Sequence, residues 1–357
     1  MASLEDFPIR DDLRGRKPYG APQLNVPVSL NVNENTHRIP EAVAIDVVGS
    51  LAASLIDINR YPDREFTRVR TALADYLGEG LSPDEIWAAN GSNEVLLQIF
   101  QAFGGSNRLA LGFGPTYSMY SLLALTTGTS YLDADRALDY ELTPDIVVAA
   151  IKKHQPSIVL LCSPNNPTGT PVSLSVIEAA YEATSGIVVV DEAYAEFSED
   201  DSAITLLPNR PRLLISRTMS KAFAFAGARL GYLAADAGAI DALRLVRLPY
   251  HLSALTQAAA VAALGHSKLM LETVDDIKFQ RDRIAISLAE MGFKVYRSEA
   301  NFVLFHGVAD SGQAFNQILD LGVLVRNVGI PNTLRVTAGT ESETSKFLEA
   351  VSTVAKL

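Results

Sequence analysis

The chain has 357 residues, of which 48% are apolar and 20% charged, and that length exceeds what one hydrophobic core usually organises, so two domains are expected. The formal net charge of −11, with Lys and Arg scattered apart from a short basic cluster at Arg14, Arg16 and Lys17, argues against a nucleic-acid partner. Cys162 is the only cysteine, which excludes an intrachain disulfide framework and fits a reducing compartment.

The first thirty or so residues are rich in Pro, Gly and Asn and are expected to form an extended arm, without the apolar stretch of a secretory signal. Helical periodicity then predicts helices over Glu41–Leu55, Glu65–Leu77 and Asn93–Phe103. Four brief apolar runs bounded by turn signals, Arg108–Leu111, Ser157–Leu161, Ile187–Val190 and Arg212–Ser216, read as strands. Strands separated by helical segments predict an α/β fold with a mostly parallel sheet flanked by helices. After Pro249 a long helical region, Ser253–Met291, precedes strand-like segments at Lys294–Tyr296, Phe302–Phe305 and Leu334–Val336. The expected division is an arm over 1–35, a large domain over 36–248 and a smaller α+β domain over 249–357. No apolar run approaches a bilayer span, so no membrane is expected and the cytoplasm is the expected location.

In an open α/β sheet, ligands bind beyond the carboxyl ends of the strands, so the residues that follow each apolar run are informative. SIVLLC runs into Ser163-Pro164-Asn165-Asn166-Pro167-Thr168-Gly169, GIVVV into Asp191-Glu192-Ala193-Tyr194, and RLLIS into Arg217-Thr218-Met219-Ser220-Lys221. A fourth element, Asn90-Gly91-Ser92-Asn93-Glu94, opens a helix whose free N–H groups suit a phosphate. Taken singly, each has a plain structural explanation: a turn for Asn-Pro-Thr-Gly, helix caps for Asp191, Ser92 or Asn93, a solvated surface position for Lys221. Their convergence on one sheet edge is what points to a site.

Together they suit pyridoxal-phosphate chemistry. A lysine amine condenses with an aldehyde and is displaced by a substrate amine. A carboxylate facing the pyridine nitrogen keeps it protonated, so the ring acts as an electron sink. An arginine with hydroxyls binds a phosphate dianion, and Arg229, with Thr218 and Ser220, is the evident candidate. Arg335 lies inside the strand-like LRVTAGT, where a guanidinium needs an anionic partner or an aqueous cleft; it and Arg326 are expected to face a cleft between the domains.

The segments SPNNPTG, VVVDEAYAEF and SRTMSKAFAFAGARLGY, in this order, resemble the fold-type I aminotransferases of classes I and II. DLRGRKPYGAPQLNVPVSLNVNEN, NRYPD, WAANGSNE and VRLPYHLSALTQAA are similar to the histidinol-phosphate aminotransferases, the actinobacterial ones in particular. The resemblance implies a fold-type I transferase that exchanges an amino group between histidinol phosphate and 2-oxoglutarate in a ping-pong reaction, with pyridoxal 5′-phosphate on Lys221. It implies that Lys221 shuttles the proton, Asp191 pairs with the pyridine nitrogen, and Asn166 and Tyr194 bond the phenolic oxygen. Tyr117, in GPTYSMY, would stack on the ring. Ser92, Asn93, Thr218, Ser220 and Arg229 would hold the phosphate. Tyr61 would reach the phosphate in a second subunit of a homodimer, and Tyr19, Asn35, Arg326 and Arg335 would contact substrate.

One departure concerns the arm, where Thr36 follows Asn35 in place of the family's usual proline, restoring an N–H donor and freeing a dihedral. His37 beside it is expected at the surface, without a catalytic role. Three alternatives stay open on the residues: an aromatic amino-acid aminotransferase, a pyridoxal-phosphate lyase or decarboxylase, and a non-catalytic ligand-sensing domain on the same fold.

Overall fold

The structure, a computed structural model, describes residues 4–354, so the outermost three residues of the expected arm and of the expected C-terminal domain lie outside it. The arm is mostly extended, with single 3₁₀ turns at Leu4–Asp6 and Asp11–Leu13, and ends in strand β1 (Val28–Ser29). Helices α1 (Glu41–Leu55) and α2 (Thr67–Leu77) follow. Strands and helices then alternate: β2 (Ile86–Ala89), α3 (Ser92–Phe103), β3 (Leu109–Gly114), α4 (Met119–Thr127), β4 (Ser130–Asp135) and α5 (Pro144–His154). The alternation continues with β5 (Ile158–Cys162), α6 (Leu174–Ala183), β6 (Ile187–Asp191), β7 (Leu213–Thr218), β8 (Gly231–Ala235) and α7 (Ala237–Val246).

Strands β2 to β8 form one sheet in the order β2-β8-β7-β6-β5-β3-β4. The five strands β3 to β7 run parallel, and β8 is antiparallel to both of its neighbours. Period-two alternation splits the strand residues between two cores. Ile158, Leu160, Val189 and Leu214 pack with α3 and α4, whereas Val159, Leu161, Val188, Val190, Leu213 and Ile215 pack with α5 and α6. Both faces are covered, which is why these strands read as unbroken apolar runs. Each such side chain contributes roughly 1.5–3 kcal/mol by burial, so the sheet centre is a stiff base for whatever its edge carries.

The same phase places the chemistry. Cys162, Asp191 and Thr218, at the carboxyl ends of β5, β6 and β7, continue the face that packs on α3 and α4. Glu192 and Arg217, one residue out of phase, are buried and pair with each other at 2.8 Å.

The helical region expected over Ser253–Met291 is three helices, α8 (Ala254–Gly265), α9 (Ser267–Leu271) and α10 (Thr273–Glu290). The first break falls at Gly265-His266, where a poor helix former precedes a residue at φ −114° and ψ 25°. Helix α8 packs against α1 and α2. The remaining elements are β9 (Lys294–Val295), β10 (Phe302–His306), α11 (Ser311–Asp320), β11 (Val323–Leu324), β12 (Thr333–Thr337) and α12 (Glu341–Val354). Strands β12, β10 and β9 form a small antiparallel sheet, while β11 pairs in parallel with β1, so the arm is stitched to the C-terminal part of the chain. No helix among the described residues is long and apolar enough to cross a membrane.

Candidate active site

A cavity of about 690 Å³ opens at the carboxyl ends of β5, β6 and β7. Thirteen of the fifteen site residues expected from the sequence line it: Tyr19, Ser92, Asn93, Tyr117, Asn166, Asp191, Tyr194, Thr218, Ser220, Lys221, Arg229, Arg326 and Arg335.

Lys221 lies three residues past the end of β7, and its Nζ donates to the Val32 carbonyl of the arm at 3.0 Å. Burial pushes its pKa down to about 8, with Arg335 and Arg229 adding repulsion and Glu34 opposing them. Asp191 is 3% exposed. Burial pushes its carboxyl up to about 6, against the hydrogen bond that Tyr120 donates to Oδ2 at 2.8 Å. Its other oxygen, Oδ1, is buried without a partner, an arrangement that suits a group bringing its own proton.

One wall is an anion pocket. Helix α3 begins at Ser92, so its first N–H groups lack intrahelical acceptors. Arg229 lies alongside: a Cβ on Gly91 would come within 2.4 Å of its guanidinium, and Gly91 sits at φ 85°. Gly231 permits a second close approach, because a Cβ there would meet the Ser92 nitrogen at 2.1 Å. Only glycine lets α3, β8 and Arg229 share this space. Thr218 Oγ1 donates to Ser220 Oγ at 3.0 Å, while Arg229 Nη1 reaches Ser220 Oγ at a long 3.5 Å and donates to the Ala226 carbonyl at 3.1 Å.

The opposite pole comes from the C-terminal part of the chain. Arg326 and Arg335 exchange backbone hydrogen bonds at 2.9 Å in both directions. Arg335 is buried; its Nη1 donates to Asn166 Oδ1 at 2.5 Å and its Nη2 to the Asn31 carbonyl at 2.8 Å. Its Nε has no partner, and burial lowers its pKa to about 10. No carboxylate ion-pairs with either arginine among the described residues, so this pole is a prepaid cationic surface for an anion.

Between the poles, the Tyr194 hydroxyl accepts from Asn33 Nδ2 at 3.0 Å and from Asn166 Nδ2 at 3.2 Å, leaving its own proton to donate. Tyr117 donates to Asn93 Oδ1 at 3.0 Å. At the mouth, Ser118 Oγ makes a long 3.4 Å contact with the Tyr19 hydroxyl.

Two expected residues stand apart. Asn35 is turned away from the cavity: its Nδ2 donates to the Ala222 carbonyl and to Thr273 Oγ1, both at 3.1 Å. Tyr61 is 80% exposed and stacks on Tyr250 with ring centroids 4.4 Å apart. His37 is half-buried rather than a surface residue, with its Nε2 buried and unpartnered. Asn31, Asn33 and Tyr120 belong to the site's hydrogen bonds although the sequence drew no attention to them: the Asn31 carbonyl accepts from Arg335, Asn33 donates to Tyr194 and Tyr120 to Asp191, and no local pattern marks them, since Asn33 sits at φ 57° on an irregular stretch.

These donors fit pyridoxal 5′-phosphate: a buried amine, an orphaned buried carboxylate oxygen, a hydroxyl with a free proton and a glycine-cleared anion pocket in one cavity. Residues 26–351 match the model of the family described as aminotransferase class I and II. Over 356 residues the chain is 59% identical to the histidinol-phosphate aminotransferase of Paenarthrobacter aurescens, covering 98% of this chain and 96% of that one. It is 52% identical to that of Thermobifida fusca, with 98% and 96% covered. Among solved structures, the histidinol-phosphate aminotransferase of Sinorhizobium meliloti in complex with pyridoxal-5′-phosphate superposes with a TM-score of 0.82 at 25% identity, covering 93% of this chain and 91% of that one. Thermus thermophilus aspartate aminotransferase with maleate shares the fold, at a TM-score of 0.80 and 24% identity over 92% of this chain and 91% of that one. The chain belongs to the class I and II aminotransferases and, within them, to the histidinol-phosphate aminotransferases.

Proposed function

We propose that this chain transfers an amino group between histidinol phosphate and 2-oxoglutarate, giving imidazole-acetol phosphate and glutamate in histidine biosynthesis, with pyridoxal 5′-phosphate as cofactor. The observation that carries this reading is a lysine and an orphaned carboxylate facing one cavity between two arginine poles.

Lys221 would hold the cofactor's aldehyde carbon, Asp191 its ring nitrogen, Asn166 and Tyr194 its phenolic oxygen and Tyr117 its ring face. Ser92, Asn93, Thr218, Ser220 and Arg229 would hold its phosphate. When bound, the cofactor supplies an electron sink for charge developing at the substrate Cα. Lys221 takes the Cα proton: with its pKa near 8, about a tenth of the amine is neutral at pH 7, far more than for an ordinary lysine. Arg335 and Arg326 bind the far anion of either substrate, since a guanidinium fork accepts phosphate and carboxylate alike. Tyr19, carried by the arm, borders the same space and helps exclude water.

The active unit in this reading is a cytoplasmic homodimer, with Tyr61 serving the partner's cofactor phosphate. Support comes from large apolar side chains left exposed in nearby stretches of the chain: Ile45, Val48 and Ile56 on or just after α1, and Leu245 and Leu248 at and just beyond the end of α7. A partner surface would cover them. Asn35 enters the proposal as a substrate contact only through rearrangement of the arm. The division at 36–248 and 249–357 is likewise proposed, with α8 anchoring the start of the second unit on the first. Measuring kcat/KM for histidinol phosphate, phenylalanine and tyrosine with 2-oxoglutarate as acceptor tests the substrate: histidinol phosphate is expected to lead, and a preference for the aromatic amino acids would overturn it.

A further inference from the structure

The motif GPTYSMY carries two tyrosines, and the cofactor-binding roles above use only Tyr117. Three residues on, at the start of α4, Tyr120 turns inward with its ring edge-on to Tyr117, centroids 5.5 Å apart and planes at 88°. It is fully buried, and its hydroxyl donates to Asp191 Oδ2 at 2.8 Å. The titratable groups around Asp191 are Tyr120 from α4, Cys162 from β5, Tyr117, Tyr194 and the adjacent Glu192. Cys162 is the nearest rival donor in register, but its Sγ engages the Pro164 carbonyl at 3.6 Å. Tyr120 is therefore the side chain that occupies one oxygen of the carboxylate, while the other stays free.

We propose that Tyr120 is a positioning residue: it holds Oδ2 of Asp191 so that Oδ1 remains the acceptor for the cofactor's protonated ring nitrogen. This rests on the cofactor assignment above. Two carboxylate oxygens in a dry site are equivalent unless something distinguishes them, and a single neutral donor does so without neutralising the charge. An arginine in the same place would bind Asp191 tightly and weaken its hold on the ring nitrogen. A phenylalanine would leave the carboxylate without a side-chain donor, with the Ala193 backbone N–H alone favouring its charge, and the carboxyl would take up the proton that the ring nitrogen needs. Hydrogen bonds to charged groups are strong enough that losing this one raises the proton affinity of Asp191 by about ten- to hundredfold.

The test is Tyr120→Phe in the holoenzyme loaded with ¹⁵N-labelled pyridoxal phosphate. The ring-nitrogen NMR signal is expected to move toward the unprotonated position, and kcat to fall about tenfold or more with KM changed less than about twofold. Tyr131→Phe, which removes a half-buried tyrosine hydroxyl bonded to Asp133 rather than to Asp191, should leave the ring-nitrogen signal in place. In an Asp191→Asn background, adding Tyr120→Phe should change kcat less than about twofold. Should Tyr120→Phe not fold, Tyr120→His supplies a donor from a smaller ring and should keep the native signal. An unmoved ring-nitrogen signal in Tyr120→Phe, or a moved one in Tyr120→His, overturns the proposal. A native protein that takes up no cofactor at Lys221 overturns it together with the cofactor assignment.

Discussion

Replacing Arg335 with methionine separates the cost of building a cationic pole from its use. The guanidinium is buried beside Asn166 and the Asn31 carbonyl, lies over the Phe302 ring at 5.1 Å and has no carboxylate partner. Burial pushes its pKa well below the ordinary guanidinium value, to about 10, equivalent to roughly 3 kcal/mol held against the charged form. Arg335→Met removes that penalty and keeps a flexible apolar chain over Phe302, but strips two acceptors of their donor at about 1–3 kcal/mol each. The terms nearly cancel, so the unfolding free energy from urea titration is expected to stay within about 2 kcal/mol of the native value. Catalysis has no such compensation. Two charge-assisted bonds to a substrate anion at about 1.5–3 kcal/mol each come to about 3–6 kcal/mol, or roughly 10²–10⁴ in kcat/KM. The assays are steady-state kinetics with histidinol phosphate and with glutamate, alongside urea unfolding. A kcat/KM for both substrates within threefold of native would refute the reasoning, and so would a loss of stability as large as that of activity.

Asp191→Asn should stabilise the cofactor-free protein. Its carboxyl titrates near 6 when folded against an ordinary 3.8, so between these values the folded state binds more protons and stability falls as pH rises through the window. Above pH 7 the whole penalty is present, and the Asn variant should be more stable by about 1–3 kcal/mol while retaining cofactor poorly; equal pH slopes in native and variant unfolding from pH 4 to 7 would count against burial as the cause. For Tyr61, mixing is decisive. Lys221→Ala and Tyr61→Ala chains are each expected to be impaired alone, but co-expressed they form a hybrid with one intact site if Tyr61 acts across a dimer. No recovery of activity in the mixture would place Tyr61 outside the partner's site.

The sheet centre was legible because burial on both faces leaves short apolar runs, with polar residues confined to their carboxyl ends. Strands β5, β6 and β7 begin within a residue of where the apolar runs place them. The edge strand β4 and the antiparallel β8 were not, since β4 is half-exposed and mixed in character, and the small residues of β8 carry no distinctive pattern. Lys221, Asp191 and Asn166 stand out because each lies at or within a few residues beyond the carboxyl end of a strand. Asn33 and Tyr120 do not: one sits on an irregular arm, the other in the first turn of a helix, and their meaning depends on partners 161 and 71 positions away. Contacts of that span are set by tertiary packing, which local patterning does not encode.

The arm segment 28–33 is held at several points along a few residues: by β1–β11 pairing, by Arg335 on the Asn31 carbonyl, by Asn33 on the Tyr194 hydroxyl, and by Lys221 on the Val32 carbonyl. It works as a rivet between the sheet edge and the C-terminal part of the chain. A guanidinium of one pole, the hydroxyl between the poles and the reactive amine are all referenced to the same short stretch of backbone, so a displacement of the arm reaches all three at once.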